Sequence, residues 1–98
     1  MTERLMVGGA SVLTLAPHIV FRFDETRARW IMMAPERLML PDEQAVEILK
    51  LVDGKADVDA IVDTLAARFN ASREEIAGDV AEMLQDLADK GCLADAGR

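Results

Sequence analysis

The apolar positions of this chain change period once, near Pro41. Upstream they recur every second residue: Ile19, Phe21 and Phe23 alternate with Val20, Arg22 and Asp24, and Trp30, Met32 and Ala34 alternate with Ile31 and Met33. That period predicts two strands. Asp24 to Arg29 (DETRAR) is a polar connection of hairpin length, so the two strands should pair antiparallel. Pro35 has no N–H to donate and interrupts the ladder, which leaves Glu36 to Leu40 as a third, short strand.

Downstream of Pro41 the pattern is helical three times over. Pro41, Asp42 and Glu43 make a favourable first turn, with proline at the first helical position and carboxylates at the positive end of the dipole. Ala45, Ile48, Leu49 and Val52 form one face of this helix, and Asp53-Gly54 ends it. In the second helix Asp57 is the N-cap, and Val58, Ile61, Val62, Leu65, Ala66 and Phe69 keep the i, i+3, i+4, i+7 rule without a gap. A capping box, Ser72 with Glu75, opens the third helix; Ile76, Val80, Met83, Leu84 and Leu87 stripe it, and Gly91 closes it. Strands followed by three short helices make a small α+β domain, and the tight turn between the last two helices suggests a helix-turn-helix.

Residues 1–16 stand apart in this pattern. Leu5 to Ala16 is mostly apolar and follows Arg4, but Gly8, Gly9, Ser11 and Thr14 dilute the run and Glu3 sits where a signal peptide is basic. It is also too short for a membrane span. The expectation is a flexible lead-in or linker over residues 1–16 and a single domain over residues 17–95.

Ninety-eight residues allow one domain with one modest core. Aromatic residues make up only 4% of the chain, so aliphatic side chains and the six methionines must fill that core. Charge removes the function that a helix-turn-helix first suggests. The would-be recognition helix, residues 72–90, carries Arg73 and Lys90 against Glu74, Glu75, Asp79, Glu82, Asp86 and Asp89, the wrong sign for phosphate. The whole chain is at −7, which argues against nucleic acid as a partner. The asymmetry is informative too: residues 1–40 hold five basic and four acidic side chains, net +1, whereas residues 41–98 hold six and fourteen, net −8.

No catalytic constellation is visible, and no metal or cofactor is expected. His18 is the one histidine and reads as a strand-entry residue; Cys92 is the one cysteine and reads as a small buried hydrophobe past the last helix. A single cysteine permits no internal disulfide, which fits a reducing cytoplasm, and nothing calls for a membrane. Gly8-Gly9 lacks the strand and helix that a phosphate-cradling loop needs. What remains is the segment from Trp30 to Pro41, WIMMAPERLMLP. Its second half is too short to lie deep in a sheet, yet Leu38, Met39 and Leu40 are too apolar for an ordinary loop. A short strand at a sheet edge, beside an apolar groove, is a place for a partner chain to dock, so the sequence describes a binding module. The expected contacts are Arg37, Leu38, Met39 and Leu40 on the edge strand, with Val80, Met83, Leu84 and Leu87 of the third helix as the apolar floor.

The residues also carry a family resemblance. Pro17, Arg22, Asp24, the string WIMMAPER from Trp30 to Arg37, Leu40, Asp53-Gly54, the Ile61 to Phe69 stripe, Asp79-Val80 and Gly91 followed by Leu93 resemble the PqqD family of pyrroloquinoline quinone biosynthesis. The resemblance runs in order over residues 17–93, and Trp-x-x-x-Ala-Pro-Glu-Arg with a downstream Asp-Gly is its specific part. It implies a winged-helix-like fold, a three-stranded antiparallel sheet packed on three helices. It also implies a peptide chaperone without catalytic activity, monomeric and cytoplasmic. Such a chaperone binds the ribosomally made precursor peptide PqqA between the third strand and the third helix, then presents it to PqqE, a radical S-adenosylmethionine enzyme that joins a glutamate and a tyrosine side chain. The competing expectation is a small winged-helix-like regulatory or structural interaction domain, with an enzyme more distant.

Overall fold

The computed structural model describes residues 5–96, which form β1 (Leu13–Leu15), β2 (Val20–Asp24), β3 (Arg29–Ala34), β4 (Arg37–Met39), α1 (Glu43–Leu49), α2 (Val58–Phe69), α3 (Arg73–Asp89) and β5 (Leu93–Asp95). The expected α+β, winged-helix-like architecture is what the chain adopts: a three-stranded antiparallel sheet of order β2-β3-β4 on three helices, with a second sheet made of β1 and β5.

The main sheet follows from two turns. In the first, the Asp24 carboxylate accepts the backbone N–H groups of Thr26 at 2.9 Å and Arg27 at 3.4 Å and pairs with Arg27 Nη1 at 2.7 Å, while Ala28 takes a left-handed φ of 57°. This fixes a register in which Phe23 faces Trp30 and Phe21 faces Met32. The Arg27 guanidinium, with the two backbone N–H groups, holds the Asp24 carboxyl below its usual range against the opposing effect of burial. The second turn, Pro35-Glu36, reverses the chain into β4, with Ala34 opposite Arg37 and Met32 opposite Met39.

The segment read as a lead-in is part of the fold. β1 pairs antiparallel with β5, Leu13 against Asp95 through Leu15 against Leu93, and Leu13 is buried in the core. Upstream of it, Gly9 C=O accepts the Asp59 N–H at 2.9 Å and Ser11 C=O accepts the Val58 N–H at 3.0 Å. Asp57 Oδ1 accepts the next one, from Ala60, at 2.8 Å. Three of the donors that a helix start leaves unsatisfied are therefore met at α2, two of them by the strap. Gln85 on α3 holds the strap from the other side, donating to Leu5 C=O and accepting from the Val7 N–H. Residues 1–4 lie outside the described residues. The expectation of a flexible stretch was misled by Gly8, Gly9 and Ser11: a Cβ at Gly9 would lie 2.6 Å from the Asp59 carboxylate, and the Ser11 hydroxyl accepts the Gly8 N–H, so these residues serve a strap lying close over α2.

The helix ends bring three smaller corrections. Asp42, not Pro41, starts α1: its side chain accepts the Ala45 N–H at 2.8 Å, which makes it the N-cap and leaves Pro41 one residue outside. α1 also stops earlier than Asp53-Gly54, at Leu49. Leu51 and Val52 then make tighter bonds to Ile48 and Leu49, and the Asp53 carboxylate collects the N–H groups of Lys55 and Ala56 while Gly54 takes a φ of 79°. Those two N–H groups hold the Asp53 carboxyl below its usual range. Ser72 occupies the N-cap position of α3 but makes no side-chain capping bond, so the predicted capping box is absent. The far end is as expected: Gly91 has a φ of 78°, its N–H reaches Ala88 C=O, and the Cys92 N–H reaches Leu87 C=O, the paired bonds of a Schellman motif.

The core has two adjoining parts. Leu13, Ile48, Val52, Val58, Ile61, Val62, Leu65, Val80, Leu84 and Leu93 fill the space among the helices and the β1–β5 sheet. Ala16, Ile19, Met32, Leu49 and Cys92 form a smaller cluster beneath the main sheet, with Met39, Met83 and Leu87 packed against it. Phe69, assigned by its period to the core face of α2, is instead 52% exposed, because it sits at the last helical position before Asn70 turns left-handed. No helix among the described residues is long and apolar enough to cross a membrane.

Candidate functional site

β4 ends the main sheet, and among the described residues its outer edge pairs with no strand. The direction of its free backbone groups follows from the register. With only Pro35 and Glu36 between them, Ala34 and Arg37 must be the pair that exchanges both ladder bonds. Strict alternation then makes Met33–Leu38 the non-bonded pair and Met32–Met39 the next bonded one. Leu38 therefore turns both its N–H and its C=O away from β3. Its side chain is 42% exposed and that of Leu40 49%, whereas Met39 points inward onto the cluster of Met32, Leu49 and Cys92.

α3 faces this edge across that cluster, and the structure divides its expected floor residues in two. Met83 and Leu87 are half-buried and pack against the same cluster as Met39, so they flank β4. Val80 and Leu84 do not line a groove: they are 1% and 0% exposed and face Leu13, Ile61, Val62 and Leu65 in the larger core. A shallow depression of about 390 Å³ extends the β4–α3 space toward the start of α1. Its walls are Ile48 and Met83, and its rim carries Asp42, Asp79, Glu82 and Asp86. Gln44 bridges to Asp79 across it at 3.2 Å.

A larger open depression, about 1060 Å³, lies elsewhere and was not expected from the sequence. Phe23, Trp30, Pro41, Val46, Phe69 and Ile76 provide its apolar lining. Trp30 stacks on Phe21 with centroids 4.8 Å apart and meets Phe23 edge-on at 6.0 Å, and Lys50 Nζ lies 5.2 Å from the indole centroid. The signal available was the single tryptophan. The alternation that marked the strand does not say which of its apolar residues are covered, and Phe23 is 45% exposed.

Nucleophilic chemistry finds little support in these surroundings. Cys92 is buried beneath the main sheet, and desolvation pushes its thiol up from the ordinary cysteine value, so it stays protonated at neutral pH. Among the described residues no three His, Cys, Asp or Glu side chains are grouped to hold a metal ion.

Comparison with known proteins places this architecture. The family model for coenzyme PQQ synthesis protein D matches residues 29–93, which take in β3, β4 and all three helices. The chain belongs to the PqqD family. A PqqA binding protein of Rhodopseudomonas palustris (strain TIE-1) is 56% identical over 94 residues, covering 96% of this chain and 92% of that protein. A bifunctional coenzyme PQQ synthesis protein C/D of Methylorubrum extorquens is 39% identical over 91 residues, 93% of this chain but 24% of that longer protein. The solution NMR structure of the PqqD truncation of Methylobacterium extorquens PqqCD superimposes with a TM-score of 0.76 at 38% identity, over 90% of this chain and 94% of that one. It is described as a functional, stand-alone recognition element for ribosomally synthesized and post-translationally modified peptides. PqqD relatives thus occur both as chains of this size and as part of a longer protein.

Proposed function

We propose that this chain binds the precursor peptide PqqA by strand addition along β4, as a monomer without catalytic activity, and presents it to the radical S-adenosylmethionine enzyme PqqE for cross-linking of a glutamate to a tyrosine. The observation that carries this reading is the outward N–H and C=O of Leu38 on an unpaired edge, flanked by Met83 and Leu87. The name of the Rhodopseudomonas relative and the description of the Methylobacterium domain as a peptide recognition element support it. Main-chain bonds to β4 give affinity that depends little on peptide sequence, and the apolar groups of α3 select its inward side chains. Presentation adds no chemistry from this domain. Holding the peptide near the enzyme raises its effective concentration to roughly the millimolar range.

Leu38→Pro tests the strand-addition step directly. The lost N–H points outward, so the β3–β4 ladder keeps its bonds and the fold should persist, since proline is tolerated on an edge strand in that position. Titration with synthetic PqqA should show about a hundredfold loss of affinity, roughly 2.7 kcal/mol, with a melting temperature near wild type. Undiminished binding by the folded variant would overturn the reading. Met39→Pro is the poorer test, because the Met39 N–H belongs to the ladder with Met32 and its loss disturbs fold and site together. Presentation is tested separately: PqqE should remove two hydrogens from PqqA only when this chain is present.

A further inference from the structure

The open aromatic depression and the small acidic-rimmed one adjoin at the start of α1, where Asp42 and Gln44 line both. α3 runs along the whole path: Leu87 and Met83 pack beside Met39, Asp86, Glu82 and Asp79 rim the small depression, and Ile76 reaches the large one. From Leu87 to Ile76 the helix rises about 16 Å, at roughly 1.5 Å per residue. An extended chain covers that distance in about five residues, at roughly 3.3 Å each.

Resting on the strand-addition reading, we propose that the depression walled by Phe23, Trp30, Phe69 and Ile76 is a second anchor for the same peptide, taking one bulky apolar side chain, aromatic by preference, about four to six residues from the residue that pairs with Leu38. The chemistry is that of an aromatic pocket. Phe23 and Phe69 stand open to solvent and line the depression together with the half-buried indole, and an inserted ring can meet exposed rings at the centroid spacings of roughly 4.5–7 Å that aromatic pairs favour. Pro41 and Val46 add apolar lining, and charged side chains of both signs, Arg27, Arg29, Lys50, Asp42, Glu43 and Glu47, complete it. Exposed large apolar groups gathered in one concavity mark a contact surface more often than chance. The strand pairing fixes where the peptide lies and the pocket fixes its register, which main-chain bonds alone leave free to slip.

Trp30 is the one tryptophan of the chain and reports on the pocket directly. Synthetic PqqA with any tryptophan replaced by phenylalanine should shift Trp30 emission to shorter wavelength at saturation. Phe69→Ala, an exposed change at a helix end, should keep the fold and lose about tenfold in affinity. An alanine scan of the peptide should then show one bulky apolar position whose effect is large with wild type and absent with Phe69→Ala, as coupling in a double-mutant cycle requires. Unshifted emission together with wild-type affinity for Phe69→Ala, while Leu38→Pro still abolishes binding, would overturn the second anchor and leave strand addition standing. Wild-type affinity for the peptide with weakened dependence of PqqE on this chain would also overturn it, by assigning the pocket to the enzyme. Tight binding by Leu38→Pro would remove the underlying reading and this inference with it.

Discussion

Two three-residue strands at the margins of this molecule, β1 and β4, have opposite fates. β1 pairs with β5, and the backbone around it is closed by further donors: the Gly54 N–H reaches Leu13 C=O, the Ala96 N–H reaches Val12 C=O and the Ala16 N–H reaches Cys92 C=O. Its Leu13 is sealed in the core. β4 is just as short, yet among the described residues no such donor covers it, and Leu38 and Leu40 remain open. Strand length does not separate a structural edge from a binding edge. What separates them is whether local turns satisfy the outward backbone groups or leave them to another chain. Keeping the open edge to three residues between Pro35 and Pro41 limits the wrong partners it can template.

The strongest way to break that contrast is to remove β1. Deleting residues 1–16 leaves all of the domain as its alternating and helical patterns delimit it. The structure makes the opposite demand: the deletion strips Leu13 from the core, unpairs β5 and exposes the first N–H groups of α2. Several kcal/mol are lost from a total of about 5–15, so the truncated chain should give no cooperative melting transition by circular dichroism. A sharp transition near that of the full chain would show the strap to be ornamental.

Next in size is a pair of neighbours on α3, Leu84 sealed in the larger core and Met83 bordering both clusters on the side of β4. Leu84→Ala opens a cavity in the larger core and should cost about 2–5 kcal/mol of stability with little change in the affinity of the folded fraction. Met83→Ala, at the half-buried position beside β4, should cost less stability and more peptide affinity. Melting temperature and titration on the same two variants decide it; equal affinity losses for both would mean that α3 has no groove face distinct from its core face.

That division of α3 marks the limit of what the sequence could tell. The stripe Ile76, Val80, Met83, Leu84 and Leu87 gave the helix and its apolar side correctly, because period reports which residues share a face. Period does not report how far round that face the neighbouring elements reach. Val80 and Leu84 are sealed in the larger core, whereas Met83 and Leu87 stay half-buried where the two clusters meet. β4 was legible because Pro35 and Pro41 bracket it, whereas β1 and β5 were not: three residues carry too little alternation to stand out, and their pairing joins opposite ends of the chain. The aromatic depression was hidden for a related reason, since it is built from one residue or a few from each of five elements.

The smallest expected effect sharpens the comparison by perturbing the main sheet far from its open edge. Asp24 sits at the first hairpin turn, where the Arg27 guanidinium foremost, and then the N–H groups of Arg27 and Thr26, favour its ionised form and lower its pKa below 3.8 in the folded chain. A carboxyl depressed on folding binds its proton more readily in the unfolded chain, so its stabilising contribution is complete above about pH 4–5 and is lost as pH falls through the folded pKa. Asp24→Asn should therefore melt slightly below wild type at pH 7, with the gap closing as the pH is lowered from about 5 toward 2. Because Arg27 is half exposed, solvent screens the pair and the gap should be small and salt-sensitive. Strand addition should not feel the change, since the turn lies at the opposite end of the hairpin from Leu38; Arg27 also lines the aromatic depression, so any loss of peptide affinity at pH 7 would report on the second anchor. A gap that instead widened in acid would mean that Asp24 is held in its neutral form, with burial rather than Arg27 deciding its charge.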